Sequence, residues 1–212
     1  MARPSVDTDV ILEAAADLLA RHGAARTTME DIAARAGVAK GVLYLRFNGK
    51  DALLRAVVDR ELARALAVTR AGVAADPRGG LLSRLFVHSL TALHSRPFLV
   101  ALYQGSVRRG GPAADAPDLY RSRSVLGADF LREMSARGML RAGTDPDALA
   151  ANLAVWNTGL AATAPHEDVG SLILSMGGLI ALAADADVDD TTPGKECFER
   201  LADRLTEVWE DR

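Results

Sequence analysis

Residues 25–47 read ARTTMEDIAARAGVAKGVLYLRF, and the fold class follows from how this run divides at Gly37. In the first half Thr28 stands where a helix cap belongs. Asp31, three residues on, can reach back to the cap's own amide, a reciprocal pair that closes a helix start. Met29, Ile32, Ala33 and Ala36 then recur at helical spacing and make a narrow apolar face. Gly37 ends the pattern, because a left-handed residue after a helix is least strained as glycine. The second half predicts a helix over 40–47, with Val42, Leu43 and Phe47 inward and Lys40, Gly41, Tyr44 and Arg46 outward. Two short helices joined by a glycine turn are the layout of a helix-turn-helix, whose second helix enters the DNA major groove. A plain helical hairpin fits the same spacing equally well.

Charge separates the two readings. Residues 21–50 hold six bases (Arg21, Arg26, Arg35, Lys40, Arg46 and Lys50) against two acids (Glu30 and Asp31), net +4. The whole chain carries −3, so everything outside this window carries −7. A basic patch on an otherwise acidic chain is what a phosphate-facing surface requires. Double-stranded DNA is therefore the expected partner.

Working outward, 212 residues suggest one or two domains. With 49% apolar residues the chain can bury a substantial core, and with no sustained two-residue alternation it reads as all-α. A single cysteine, Cys197, excludes an internal disulfide and suits a reducing, cytoplasmic setting. The first residues lack the apolar run of a secretion signal. Residues 1–6 read as a loose arm from which Arg3 could reach DNA, although a lone arginine in such a terminus is more often simply solvated. Helix 1 is expected over 7–22, stopped by Gly23. A helix over 50–75, long for a globular domain, reads as a connector between a head and a body.

Residues 10–58 resemble the N-terminal domain of TetR family transcriptional regulators. The resemblance lies in Ile11, Ala14 and Ala15, in Thr27-Thr28-Met29-x-Asp31-Ile32-Ala33-x-x-Ala36-Gly37-Val38, and in Gly41-Val42-Leu43-Tyr44-x-x-Phe47-x-x-Lys50-x-x-Leu53. It implies a three-helix DNA-binding domain over 1–55 and a helical ligand-binding and dimerisation domain over 56–212. By the same resemblance Thr27 and Thr28 contact phosphate, and Lys40 and Gly41 approach base edges. Tyr44 supplies a hydroxyl to a phosphate, and Lys50 adds charge at a helix start that already favours an anion. Leu45 and Arg46 depart from the family, which usually shows histidine or tyrosine there. Arg46 keeps a donor for phosphate or guanine, whereas Leu45 loses any polar contact. Ala39 replaces a common capping residue.

The body is expected to hold helices over 80–95, 98–105, 119–140 (with Tyr120, Val125, Phe130, Leu131 and Met134 inward), from Pro146 onward, and 195–209. Residues 148–166 and 169–184 contain no charged side chain. They are too short or too polar for a membrane span. A helix without a charged face must be covered on nearly all sides, and a second copy is the natural cover. The expected interface is a two-fold four-helix bundle from two of the last three helices. Small-molecule sensing needs an apolar cavity with a few polar handles. Phe86, Phe98, Leu102, Tyr103, Met134, Asn152 and Trp156 are the candidates, against a purely structural role for each. His88 and His94 are spaced poorly for a metal, and neither metal nor cofactor is expected. Enzyme signatures such as G-x-S-x-G, a phosphate-binding loop or H-E-x-x-H are missing. The reading is a homodimeric, one-component repressor released by a small effector. A ligand-independent regulator, an activator and a helical adaptor are the alternatives.

Overall fold

The computed structural model describes the backbone of residues 7–108, 127–163 and 168–210, with side chains described in 7–105, 127–163 and 168–207. Among the described residues the chain is all-α. Its helices are α1 (Thr8–Arg26), α2 (Met29–Ala36), α3 (Lys40–Arg46), α4 (Gly49–Ala75), α5 (Leu82–His94), α6 (Pro97–Arg108), α7 (Ala128–Ala136), α8 (Pro146–Ala162), α9 (Val169–Ala183) and α10 (Thr192–Glu210). These residues form two compact units. One comprises 7–64 and 96–102; the other comprises 65–95 and the described residues after 102.

In the first unit, α1 starts at Asp7, whose carboxylate accepts from the Asp9 amide at 3.0 Å. Gly23, at φ 73°, breaks the helix as expected, but a further turn continues to Arg26. Ile11, Ala15 and Leu19 are buried, and α1 packs on α2. The reciprocal cap of α2 is present: the Thr28 amide donates to Asp31 Oδ2 at 2.8 Å, and the Asp31 amide donates to Thr28 Oγ1 at 3.1 Å. Gly37 ends α2 at φ 70°, and its amide together with that of Val38 closes on the last carbonyls. Leu43 and Phe47 seal α3 inward, while Val42 is half-buried.

Ion pairs then hold α1 against the first half of α4. Arg64 reaches Glu13 and Asp9 at 2.7 Å each, Arg60 reaches Asp9 at 3.1 Å, and the buried Glu61 faces Arg60 at 2.7 Å. The hydrogen bond from Arg64 holds the Glu13 carboxyl below its ordinary value, against the opposing effect of burial. The exposed Asp9 and Glu13 pairs contribute little energy singly, whereas Arg60–Glu61 is a buried pair in which loss of one partner would leave the other charge uncompensated.

In the second unit, Leu82, Leu85, Phe86, Phe130, Leu131, Met134, Ile173, Ile180, Cys197 and Phe198 are buried in one cluster. Helix α9 packs on α5 where Gly177 faces Val87; a Cβ there would come within 2.5 Å of Val87 Cγ2, so a larger residue would push the helices apart. The start of α5 has no side-chain cap of its own. Asp185, remote in sequence, supplies one, accepting from the Ser83 amide at 3.1 Å and its hydroxyl at 2.5 Å. Burial raises the Asp185 carboxyl pKa, and these bonds oppose the rise.

Helix α7 ends at Ala136, short of the expected Leu140. Gly138 turns left-handed at φ 71°, and the following backbone pairs with 184–186 through the Arg141 amide to Ala184 at 2.8 Å and the Ala186 amide to Met139 at 3.2 Å. Tyr120 and Val125 lie outside the described residues. Asp145 caps α8 with Pro146 in its first turn, as expected. Helix α10 buries Phe198, Ala202 and Leu205 within the unit; the side chains of Val208 and Trp209 lie outside the described residues.

Candidate nucleic-acid interface

The outward side of α3 and the start of α4 form one surface of the first unit. Lys40, Tyr44 and Lys50 line an open concavity together with Ala25, Thr27, Thr28, Met29 and Glu30. Lys40 lies 5.9 Å from the centre of the Tyr44 ring and pairs with Glu30. The hydrogen bond to Glu30 raises the Lys40 pKa. Lys50 donates to the carbonyl of Ala24, and Arg46 to the hydroxyl of Thr8. Tyr44 is half exposed, and Gly41 and Arg46 are exposed. The lysine heads and the half-exposed Tyr44 at this open concavity, with Arg46 exposed on the other flank of the same helix, can hold phosphates, while the crown of α3 can approach base edges.

Two threonines part company here. Thr28 is exposed, although its hydroxyl already donates to Asp31 at 2.6 Å. Thr27 is 1% exposed and its hydroxyl donates to the Gly23 carbonyl at 2.9 Å, so that side chain is a brace between α1 and α2 and not a phosphate ligand. The break at Gly23 brings its carbonyl within reach, a tertiary feature that local spacing does not reveal. Glu30, counted above only as an acid within the basic window, lies on this surface and pairs with Lys40. Its position one residue after the buried Met29, at the open end of α2, was the available signal.

The seven candidate ligand residues are not gathered at one place. Phe86 and Met134 are buried in the core of the second unit, with Trp156 packed against it and 5.4 Å from Phe86 between ring centres. Tyr103 is half-buried in the same unit, whereas Phe98 and Leu102 belong to the first. Asn152 is exposed and donates to the carbonyl of Ala148 on its own helix, which removes it from any interior site. His88 pairs with Asp76 at 3.0 Å and His94 with the Leu90 carbonyl at 2.9 Å; among the described residues no three metal-ligating side chains converge. No single helix among them is long and apolar enough to cross a membrane.

With this geometry in hand, comparison with known proteins is decisive. A family model described as bacterial regulatory proteins of the tetR family matches residues 11–57, the span of α1 to mid-α4. The transcriptional repressor KstR2 of Mycolicibacterium smegmatis is 30% identical over 155 residues, covering 68% of this chain and 73% of that protein. The chain belongs to the TetR family of transcriptional regulators. The regulator TtgR of Pseudomonas putida is 47% identical over 49 residues, so the match spans only 23% of its length. The structure of SmeT, the repressor of a Stenotrophomonas maltophilia multidrug efflux pump, superimposes with a TM-score of 0.61 at 26% identity, covering 87% of this chain and 93% of SmeT. The TetR membership and the all-α architecture with its N-terminal helix-turn-helix agree with the sequence reading.

Proposed function

We propose that this TetR family regulator is a homodimeric repressor that binds a two-fold operator and is released by a small apolar effector. The observation that carries the reading is an uncharged apolar face left open on α8 and α9. Val155, Leu174, Leu179 and Leu182 are 71%, 61%, 57% and 74% exposed, and neither helix carries a charged side chain after Asp147. Scattered exposed leucines are ordinary, but a set of them on two successive helices with no charge between is an association surface. The choice among the last three helices thus falls on α8 and α9, because the described apolar residues Cys197, Phe198, Ala202 and Leu205 of α10 are buried inside its own unit. A two-fold dimer presents two copies of α3 to successive major grooves. In this division residues 1–55 contact DNA, through Thr28, Lys40, Gly41, Tyr44, Arg46 and Lys50, and residues 56–212 carry dimerisation and the effector.

Support for the effector comes from the second unit. Ser89 Oγ and Asn157 Oδ1 are buried without a hydrogen-bond partner, and Asn157 adjoins Trp156, which meets Phe86. Buried polar atoms left unpaired are destabilising, so a ligand that pairs them gains affinity. Phe86, Tyr103, Met134 and Trp156 remain the apolar candidates. Effector and operator oppose each other with a coupling of roughly 1–3 kcal/mol, equal in both directions. Sedimentation velocity of the full chain, alone and with duplex DNA, tests the core of the reading. Two copies per particle are expected in both cases; a monomer at micromolar concentration contradicts it.

A further inference from the structure

We propose that Leu45 reads a thymine 5-methyl group, which makes it a specificity-determining residue of this regulator; the proposal rests on the DNA-binding reading above. Leu45 is 88% exposed, more than any other large apolar residue described. Leu43 and Phe47, the buried residues of α3 and its cap, lie on one side of the helix. At 3.6 residues per turn, Gly41 and Leu45 fall together on the opposite side, farthest from the core.

Gly41 supplies a second, independent observation. A Cβ built there meets nothing within 4 Å, and its φ is not positive. Neither packing nor backbone conformation within the chain requires glycine, while glycine weakens a helix relative to alanine. Gly41 leaves the crown of α3 without a side chain at its start, so a surface outside the chain can approach the helix closely there. Leu45, one turn further along that crown, is the side chain that such a surface meets.

The neighbours define the surface. Lys40 and Lys50 line the concavity on one flank of α3 and Arg46 is exposed on the other flank, so the body that approaches this basic helix is polyanionic. A lone leucine among cations is too small a patch for a protein partner. In the major groove of a duplex the one apolar group presented by the base pairs is the thymine methyl. Leucine has no donor or acceptor, so it selects thymine by contact alone.

The experiment uses the full chain and a duplex selected by it from a random pool, with each thymine of a half-site replaced in turn by deoxyuridine, which lacks only the methyl. At one position per half-site, deoxyuridine should weaken wild-type binding about fourfold, the loss expected for one buried methyl-sized group. Leu45→Ala should bind the thymine duplex at least that much more weakly and should be indifferent to deoxyuridine at that position. Being exposed, the substitution leaves the helical circular dichroism and melting temperature unchanged, which separates lost contact from lost fold. Wild-type affinity unmoved by deoxyuridine at every position overturns the proposal, as does an equal deoxyuridine effect in wild type and Leu45→Ala. In both of those cases specific duplex binding survives, and with it the DNA-binding reading. Failure of the wild type to select any duplex overturns both.

Discussion

Among the described residues leucine is exposed in two places, and their surroundings differ. On α3, the exposed Leu45 follows the half-exposed Tyr44 on a helix that also carries Lys40 and Arg46, within a window of net +4. On α9, Leu172, Leu174, Leu179 and Leu182 are spread over a broad exposed side of a helix with no charged side chain from Val169 to Ala183. Exposure alone does not name a partner. Charge around the exposed group does: a cationic frame fits a polyanion whose grooves present single methyl groups, whereas an uncharged side fits an identical side on a second copy.

The strongest way to break this comparison is to place charge on the uncharged side. Leu174→Arg with Leu182→Arg should raise the dimer dissociation constant on the order of a hundredfold or more, since two unpaired charges per copy would have to be desolvated. Sedimentation equilibrium reads the loss. The isolated copy should keep its helical circular dichroism, and an unchanged dimer would move the association surface elsewhere.

The next effect belongs to neither surface and serves as a control. Burial disfavours a charged Asp76, but hydrogen bonds from His88, Arg84 and the Arg78 amide outweigh it and hold the carboxyl at about 2, below its ordinary 3.8. A folded value below the unfolded one means stability that is complete above roughly pH 5 and fades as pH falls toward 2. Asp76→Asn should therefore lower unfolding free energy by about 2 kcal/mol at neutral pH. The gap to wild type should close in urea titrations near pH 2. A pH-independent gap would assign the loss to packing.

A smaller change sharpens the head. Thr28→Ala removes one hydroxyl from the reciprocal cap of α2 and should cost about 1 kcal/mol of stability. A thermal shift without change in sedimentation is expected, because the cap and the uncharged side are in different units. The smallest effect is Lys50→Gln, which should flatten the dependence of log affinity on log salt by about 0.9 and weaken all sequences alike. An unchanged slope would leave Lys50 as a structural donor to Ala24 only.

The head was legible because its signals are local. Thr28, Asp31 and Gly37 sit within ten residues, and each has one backbone role that its side chain announces. Thr27 was misread for the opposite reason: its partner, the Gly23 carbonyl, depends on a break in α1 that only the packed unit shows. The end of α7 failed similarly, since the backbone after Gly138 pairs with residues more than forty positions away. Asp185 capping α5 is likewise invisible to spacing. In the body, periodicity found the apolar faces but could not divide them between core and exterior. Asn152 and Phe86 are the example: both lie on helices rich in apolar residues, yet one faces solvent and the other is buried.

The central claim is that two copies of the surface between Lys40 and Lys50 dock together on DNA. Selection of bound duplexes from a random pool, with the full chain at physiological salt, tests it most directly. The account predicts an inverted repeat with half-site centres about ten base pairs, or a multiple of that, apart, to match successive major grooves on one side of the helix. Enrichment of a single unrepeated site, or of no sequence at all, would contradict it.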